Sequence, residues 1–244
     1  MGAWGAPENV SIASHHLGGG NAYAYFVRTK IMTTTILTAG ADNFVGTGGN
    51  DDINGKGGND VIFAGFGDDK IIGAGGDNKI YAGDGNDVAF GGFGDDNLAM
   101  GKGDDVAYGD DGNDVLNGAA GNDDLAGGKG NDVVNGGSGD DNLIGGQGND
   151  ILIGGSGSDT FHFQASHTGD NIIRDFTSGE DIINLNTFGM EFGDLTITYD
   201  GGRAIVDFGE FADITITMSN IAEGSLSAED FNFGEVEPLL DVVG

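Results

Sequence analysis

The stretch GGKGNDVVNGGSGDDNLIGGQGNDILI, residues 127–153, consists of three nine-residue units with glycines, an acid and an aliphatic residue in the same order. The same register extends in both directions to give fourteen consecutive units over residues 37–162 without an insertion. Repetition at a fixed short period is typical of solenoid folds, in which each unit packs only against its neighbours. The repeat therefore decides the fold class.

Three positions of the unit are nearly constant. Position four is glycine in every unit, and position eight is always apolar. Position six is acidic in every unit but one, and its residues are Asp42, Asp51, Asp60, Asp69, Asn78, Asp87, Asp96, Asp105, Asp114, Asp123, Asp132, Asp141, Asp150 and Asp159. The position-eight residues are Phe44, Ile53, Ile62, Ile71, Ile80, Ala89, Leu98, Ala107, Leu116, Leu125, Val134, Leu143, Leu152 and Phe161.

The unit predicts a coil built from turns and strands. Six glycine-rich residues form a turn, because glycine adopts positive φ without strain, and three residues form a strand whose middle side chain points inward. One inward apolar residue per unit cannot form a core alone, but two units per coil stack into two parallel sheets that face each other. The prediction is an all-β solenoid of about seven coils.

The acids are too close together to remain without a counterion. The chain carries a formal net charge of −31, and stacking places position six of units two apart at roughly the 4.8 Å spacing of neighbouring strands. Two bare carboxylates at that distance repel by about 3.5 kcal/mol at an effective dielectric constant of about 20. Calcium suits such a site because it takes six to eight oxygen ligands, whereas magnesium prefers a tighter octahedron.

Composition excludes several classes of partner and site. The acidic balance excludes nucleic acid and anionic membrane surfaces as electrostatic partners. The chain has no cysteine, so neither a disulfide framework nor a thiolate metal site can form. The N-terminus lacks the basic and apolar regions of a secretory signal peptide, and no apolar run is long enough to span a membrane.

The repeat resembles the RTX, or hemolysin-type calcium-binding, nonapeptide, with the pattern G-G-x-G-[ND]-D-x-(aliphatic)-x. GGKGNDVVN (127–135) and GGQGNDILI (145–153) match it at every specified position. The resemblance implies a parallel β-roll, a right-handed β-solenoid, that binds several Ca²⁺ ions between the turns of units two apart. It also implies ligation by the position-six side chains and by carbonyls at positions two and four of one turn and positions one and three of the other. The implied position-four glycines are Gly49, Gly58, Gly67, Gly76, Gly85, Gly94, Gly103, Gly112, Gly121, Gly130, Gly139, Gly148 and Gly157.

Two departures from the pattern predict local weakness. Asn78 offers one neutral oxygen in place of a carboxylate, so the sites that it shares with Asp60 and Asp96 should bind calcium more weakly. Ala89 and Ala107 lie two units apart, so they should stack on one sheet and underfill the core. The middle of the roll is therefore expected to be its softest part.

Residues outside the repeats divide into a leader and a cap. Residues 1–36 carry no repeat, and the interpretation is a disordered leader or an upstream start-site artefact, with Met32 as a natural start. Residues 163–244 are interpreted as a capping and secretion-signal region, with strands within 194–208 joined by a turn at Asp200, Gly201 and Gly202, and a further strand at 213–218.

The cap has its own family resemblance. Asp175 to Ile183 and Ser227 to Phe233 are similar to motifs that follow the repeats in secreted RTX proteases and epimerases. The final residues, LLDVVG, resemble the C-terminus of substrates of type I secretion. The resemblance implies export by a type I apparatus, an extracellular location, and a chain that folds where calcium is plentiful.

Three functions compete. The leading hypothesis is a secreted calcium-binding β-roll without catalytic activity, since the sequence contains neither H-E-x-x-H nor G-x-S-x-G. One alternative is the calcium-binding accessory part of a secreted RTX protease, lipase or alginate epimerase. Another is an adhesin that binds a glycan or matrix partner through two outward aromatic pairs, Phe63 with Tyr81 and Phe90 with Tyr108.

Overall fold

The structure is a computed structural model of the chain, and it describes residues 23–24, 34–209 and 212–234. The fold is all-β with two short 3-10 helices. In chain order the strands are β1 (Tyr23–Ala24), β2 (Thr34–Ile36), β3 (Asn43–Val45), β4 (Asp52–Asn54), β5 (Val61–Phe66), β6 (Lys70–Gly75), β7 (Lys79–Asp84), β8 (Val88–Phe93), β9 (Asn97–Lys102), β10 (Val106–Asp111), β11 (Val115–Ala120), β12 (Asp124–Lys129), β13 (Val133–Ser138), β14 (Asn142–Gln147), β15 (Ile151–Ser156), β16 (Thr160–His162), β17 (Gly169–Ile173), β18 (Ile182–Asn184), β19 (Thr196–Asp200), β20 (Arg203–Asp207), β21 (Ile214–Ser219) and β22 (Phe231–Asn232). The 3-10 helices are η1 (Phe192–Asp194) and η2 (Ala228–Asp230).

From β1 to β18, successive strands alternate between two sheets, and the strands within each sheet are parallel. One sheet has the order β1-β3-β5-β7-β9-β11-β13-β15-β17-β21-β20-β19, and the other has the order β2-β4-β6-β8-β10-β12-β14-β16-β18-β22. Within the repeats each strand pairs with the strand eighteen residues away, as Val134 does with Leu152. The predicted β-solenoid is confirmed, with about eight turns.

The strands are longer than the repeat predicts. β5 to β15 each contain six residues, from position seven of one unit to position three of the next, so the expectation of three-residue strands was wrong. Glycine at positions one and two is compatible with a turn and with a strand, and the sequence does not distinguish the two. The pairing includes position two, where Gly65 pairs with Gly83, and both residues have positive φ (+122° and +127°).

Two residues of each unit face the core, not one. Position eight is buried in every repeat unit. Position one is buried from the second unit onward, with Ala64, Ala82 and Met100 fully inaccessible to solvent, whereas Leu37 in the first unit is partly buried. The expectation of a single inward residue was therefore wrong, because most position-one residues are glycines that give no hydropathy signal. Ala89 and Ala107 pair directly and are both fully buried, so their predicted stacking on one sheet is confirmed.

The parallel ladders continue beyond both ends of the nonapeptide region. β2 lies within the predicted leader and pairs with β4. Past residue 162, β17 pairs with β15, and β18 pairs with β16. These additional strands explain why the solenoid has more turns than the fourteen units provide.

The strands predicted in the cap are present. β19 and β20 pair in antiparallel fashion with Asp200 opposite Arg203, and the two intervening glycines, Gly201 and Gly202, both have positive φ. That geometry is typical of a two-residue hairpin turn. β21 continues the same sheet and pairs in parallel with β17. Most of the predicted leader and the final LLDVVG segment lie outside the described residues.

Two carboxylates of the predicted cap motifs accept backbone hydrogen bonds: Asp175 connects the cap to the roll, and Asp230 connects two segments of the cap. Asp175 accepts hydrogen bonds from the backbone amides of Gly154 (3.0 Å) and Gly155 (2.8 Å). Asp230 accepts from the amides of Gly179 (3.0 Å) and Ser227 (2.7 Å). In the part of the chain that the structure describes, no helix is long and apolar enough to cross a membrane.

Candidate metal centre

The stacked turns place the position-six side chains in two rows, one along each edge of the roll. The first edge carries Asp42, Asp60, Asn78, Asp96, Asp114, Asp132, Asp150 and, after the repeats, Asn171. The second edge carries Asp51, Asp69, Asp87, Asp105, Asp123, Asp141, Asp159 and, after the repeats, Asp181. From Asp51 to Asp159, each position-six residue is at most 4% exposed.

One oxygen of each carboxylate that follows another coil fixes the preceding turn in register. The backbone amide at position six donates to Oδ1 of the position-six side chain in the following coil, for example from Asp51 to Asp69 at 2.6 Å and from Asp132 to Asp150 at 3.0 Å. The hydrogen bonds all have the same direction, so every carboxylate is held in one orientation. The sequence predicted that these residues would be close together but not that one would bind the backbone of another.

The second oxygen of most carboxylates has no hydrogen-bond partner. These buried Oδ2 atoms belong to Asp60, Asp69, Asp87, Asp96, Asp105, Asp114, Asp123, Asp132, Asp141 and Asp150. A buried anionic oxygen without a partner is costly, and such groups are normally paired or bound to a metal. A hard cation would satisfy these oxygens, so the residues fit calcium.

Backbone oxygens also face the space between turns. The carbonyl oxygen of Gly67 lies where a Cβ atom on Gly85 would be, and the same holds for the carbonyl of Gly85 beneath Gly103. Glycine at position four thus leaves room for an unshielded carbonyl at each step. Among the described residues, no three His, Cys, Asp or Glu side chains gather into a metal-binding group. Backbone carbonyls are oxygen ligands of the kind that calcium prefers.

Burial raises the pKa of these carboxyls. Desolvation, opposed by the hydrogen bond from the Asp114 amide and reinforced by the charges of Asp150 and Asp114, raises the pKa of Asp132 to about 7. The pKa of Asp69 and that of Asp141 are also raised to about 7, again chiefly by burial. Without a cation, the stack favours the protonated acids; a bound cation favours the ionised form.

At the ends of the roll, protein donors occupy the second oxygen. Thr38 donates its amide (2.8 Å) and its hydroxyl (2.7 Å) to Oδ2 of Asp42, and Thr47 does the same for Asp51 at 2.6 and 2.9 Å. At the other end, Oδ2 of Asp181 accepts from the amide of Thr177 at 2.7 Å. The end turns are therefore closed by the chain itself.

Two residues at position-six places were missed by the sequence analysis. Asn171 and Asp181 accept hydrogen bonds from the amides of Asp150 and Asp159, each at 3.0 Å. They follow their partners by 21 and 22 residues instead of eighteen, so the nonapeptide period does not reveal them. The available signal was the cap motif that contains Asp181.

A second row of side chains lies outside the first. At position five, Oδ1 of an Asn or Asp accepts from the position-five amide of the next coil, as in Asn113 to Asp95 at 2.8 Å and Asn131 to Asn113 at 2.9 Å. These hydrogen bonds point toward the N-terminus of the roll, opposite to those at position six. Asn and Asp at this position therefore have the same role, which is to supply the acceptor of the outer ladder.

A family model described as the RTX calcium-binding nonapeptide repeat matches the chain in four copies, over residues 37–71, 65–98, 101–134 and 126–161. A search of curated protein sequences finds no match.

Similar solved structures include the extracellular lipase LipA from Serratia marcescens, at 19% identity and a TM-score of 0.36, over 83% of this chain and 40% of that one. The AlgE6R2 subunit of the mannuronan C5-epimerase from Azotobacter vinelandii is 24% identical, with a TM-score of 0.38, over 62% of this chain and 94% of that one. The AlgE6R3 subunit of the same epimerase is 23% identical, with a TM-score of 0.34, over 62% and 87%. The chain thus spans about two fifths of the lipase.

Proposed function

Since the chain belongs to the family of RTX calcium-binding nonapeptide repeat proteins, we propose that it is a secreted, non-catalytic β-roll that folds when it binds calcium outside the cell. The observation that carries the proposal is the set of buried Oδ2 atoms without partners along both edges. In calcium-poor solution these carboxylates repel one another, and ligand binding then supplies folding free energy.

The ligands in this proposal come from side chains and backbone together. The position-six carboxylates of successive coils contribute the Oδ2 atoms, and the position-four glycines from Gly49 to Gly157 contribute carbonyl oxygens. When bound, calcium would neutralise the paired carboxylates. The chain's own part is to hold each carboxylate through its Oδ1 hydrogen bond, so that Oδ2 faces the gap between turns.

A calcium titration monitored by far-UV circular dichroism tests the coupling. The spectrum should be that of a disordered chain in excess chelator, and β-structure should appear cooperatively as calcium is added. Magnesium at the same concentration is the control and should give much less β-structure, because it retains its waters and requires a tighter octahedron. A β-spectrum that persists in excess chelator would contradict the proposal.

Absence of catalysis is a separate part of the proposal. The matched family model describes a calcium-binding repeat, and the sequence contains neither H-E-x-x-H nor G-x-S-x-G. Purified, calcium-loaded chain should show no lipase, protease or epimerase turnover above background. Reproducible turnover would instead support an enzyme or an accessory part of one.

An exposed aromatic pair favours adhesion as a second candidate function. The rings of Phe63 and Tyr81 stack with centroids 4.6 Å apart and planes 6° apart, and the two residues are 44% and 40% exposed. Phe66, at 65% exposure, follows on the same strand as Phe63. A flat, exposed aromatic surface can stack on sugar rings.

The pair Phe90 and Tyr108 provides a matched comparison on the opposite sheet, because it is also stacked, at 5.1 Å, but is less exposed. If the chain is an adhesin, binding on a glycan array should fall when Phe63 and Tyr81 are changed to serine and should fall less when Phe90 and Tyr108 are. Absence of any glycan binding by the unmodified chain would remove this candidate.

A further inference from the structure

The side-chain amide of Asn78 has a fixed orientation in its turn. Its Oδ1 accepts a hydrogen bond from the amide of Asp60 at 3.0 Å, and its Nδ2 donates to the carbonyl of Gly76 at 2.9 Å. The flipped amide would place two donors against each other at one end and two acceptors at the other. The partners therefore determine which atom is nitrogen.

The amide nitrogen of Asn78 occupies the place that Oδ2 takes in the aspartate turns. A Cβ atom built on Gly73 would lie 2.7 Å from Nδ2 of Asn78, just as one built on Gly55 would lie 2.5 Å from Oδ2 of Asp60. A donor thus replaces an acceptor at the same point. The Gly76 carbonyl, a ligand in the family scheme, is already used by this donor.

The same arrangement recurs at Asn171, which follows the last repeat on the first edge. Its Oδ1 accepts from the Asp150 amide at 3.0 Å, and its Nδ2 donates to the carbonyl of Gly169 at 3.3 Å. Both asparagines lie on the first edge, whereas the second edge has aspartate at every corresponding place. The two edges therefore differ in the number of acceptor pairs that they offer.

We propose that Asn78 and Asn171 are metal-free closures of their turns, so that the two edges bind unequal numbers of calcium ions. The inference rests on calcium binding by the position-six row. A step between coils is open when both of its position-six residues have an unpartnered Oδ2. The open steps on the first edge are 96–114, 114–132 and 132–150. Those on the second edge are 69–87, 87–105, 105–123, 123–141 and 141–159, because Asp159 likewise accepts its hydrogen bond at Oδ1 and not at Oδ2.

The closure at Asn78 separates the first edge into two parts. Asp60 lies between Asp42, whose Oδ2 is occupied by Thr38, and Asn78, so its own unpartnered oxygen has no open neighbour. Hydrogen bonds that need no metal thus hold the N-terminal turns of this edge. Calcium on the first edge is confined to the coils from Asp96 to Asp150.

The variant Asn78→Asp tests the proposal in the full chain. Replacing the amide by a carboxylate removes the donor to Gly76 and opens the steps 60–78 and 78–96. Bound calcium, measured by equilibrium dialysis with metal analysis, should rise by two ions per chain. Asn97→Asp is the matched control: it adds the same charge on an exposed strand position, and its stoichiometry should equal that of the unmodified chain.

The reciprocal variant Asp114→Asn should close two open steps on the same edge and lower the stoichiometry by two ions. If Asn78→Asp binds no more calcium than the Asn97→Asp control, or if Asp114→Asn loses none, the closure proposal is wrong. An unmodified chain that binds no calcium would instead refute calcium binding itself. The two failures are therefore distinguishable.

Discussion

The backbone amide of Asp132 donates a hydrogen bond to Oδ1 of Asp150, 3.0 Å away and eighteen residues later, while Oδ2 of both residues is buried without a partner. One oxygen of each carboxylate is structural and the other is available to a cation. This division explains how the chain can stack acids on acids and still define one register.

Asp132→Asn should stabilise the roll when calcium is absent and destabilise it when calcium is bound. In chelator the substitution removes a buried charge near Asp114 and Asp150, so the roll should gain β-structure. At a calcium concentration 100 times the Kd, each lost ion costs about 2.7 kcal/mol, so closing two steps should destabilise the roll by about 5 kcal/mol. Chemical denaturation with and without calcium measures both effects.

The control for this prediction is Asp140→Asn, which removes an exposed position-five carboxylate one residue before Asp141. Its Oδ1 accepts from the Ser158 amide, and an amide oxygen can do the same. It should change stability by less than about 0.5 kcal/mol in calcium. Equal effects of the two variants would contradict the assignment of roles to positions five and six.

Acid should promote folding when calcium is absent. The pKa of Asp69, Asp114 and Asp132 is raised from 3.8 to about 7, chiefly by burial. A raised pKa contributes stability that is fully present below pH 3.8 and is lost as the pH rises through about 7. In chelator, circular dichroism should therefore show more β-structure at pH 5 than at pH 8.

In saturating calcium the direction should reverse, because protons then compete with the ion for the same oxygens. Two buried histidines oppose the acid effect weakly, since burial lowers the pKa of His162 and of His167 to about 4. Loss of β-structure on acidification in chelator would mean that the carboxylates do not govern folding.

Ala119 and Gly137 occupy position two in successive coils of one sheet. Replacing Ala119 by glycine and Gly137 by alanine should change the free energy of unfolding in opposite directions. Ala119 has a φ of +81° and pairs with Gly137, whose φ is +117°. Ala119→Gly should stabilise the roll by about 0.5–1 kcal/mol, because it relieves a left-handed backbone at some entropic cost. Gly137→Ala should destabilise it by about 3 kcal/mol, since its Cβ would overlap the carbonyl of Ala119. The Tm of each variant in calcium, relative to the unmodified chain, measures the two effects. Equal shifts in Tm would show that the backbone at position two is not strained.

Removing the Asp175 side chain should loosen the cap. The substitution Asp175→Ala leaves the amides of Gly154 and Gly155 without their acceptor, and two charge-assisted hydrogen bonds of this kind should cost about 2–3 kcal/mol. Asp170→Ala, at an exposed neighbouring position, is the control. Limited proteolysis in calcium should cleave the cap faster only in the first variant; unchanged cleavage would show that Asp175 does not anchor it.

The eighteen-residue spacing predicted the strand pairing, because a residue and its partner one coil away have the same environment. It placed Asp132 beside Asp150 and Ala89 beside Ala107, as the structure does. It did not predict that position one faces the core, since ten of the fourteen residues there are glycines; the exceptions are Leu37, Ala64, Ala82 and Met100. It also missed Asp181, because the loop before it breaks the period.

The two side-chain ladders have opposite polarity. At position six the later coil supplies the acceptor, and at position five it supplies the donor. At the C-terminal end of any coil, the position-six amide is therefore a free donor and the position-five Oδ1 a free acceptor. The next coil of the same kind supplies the partner of each. On the first edge the amide of Asp170 donates to Asn149, and the side chain of Asn171 accepts from the amide of Asp150, so these two residues fill both places. Both ladders therefore extend one coil beyond the nonapeptides, on residues that the nine-residue period does not predict.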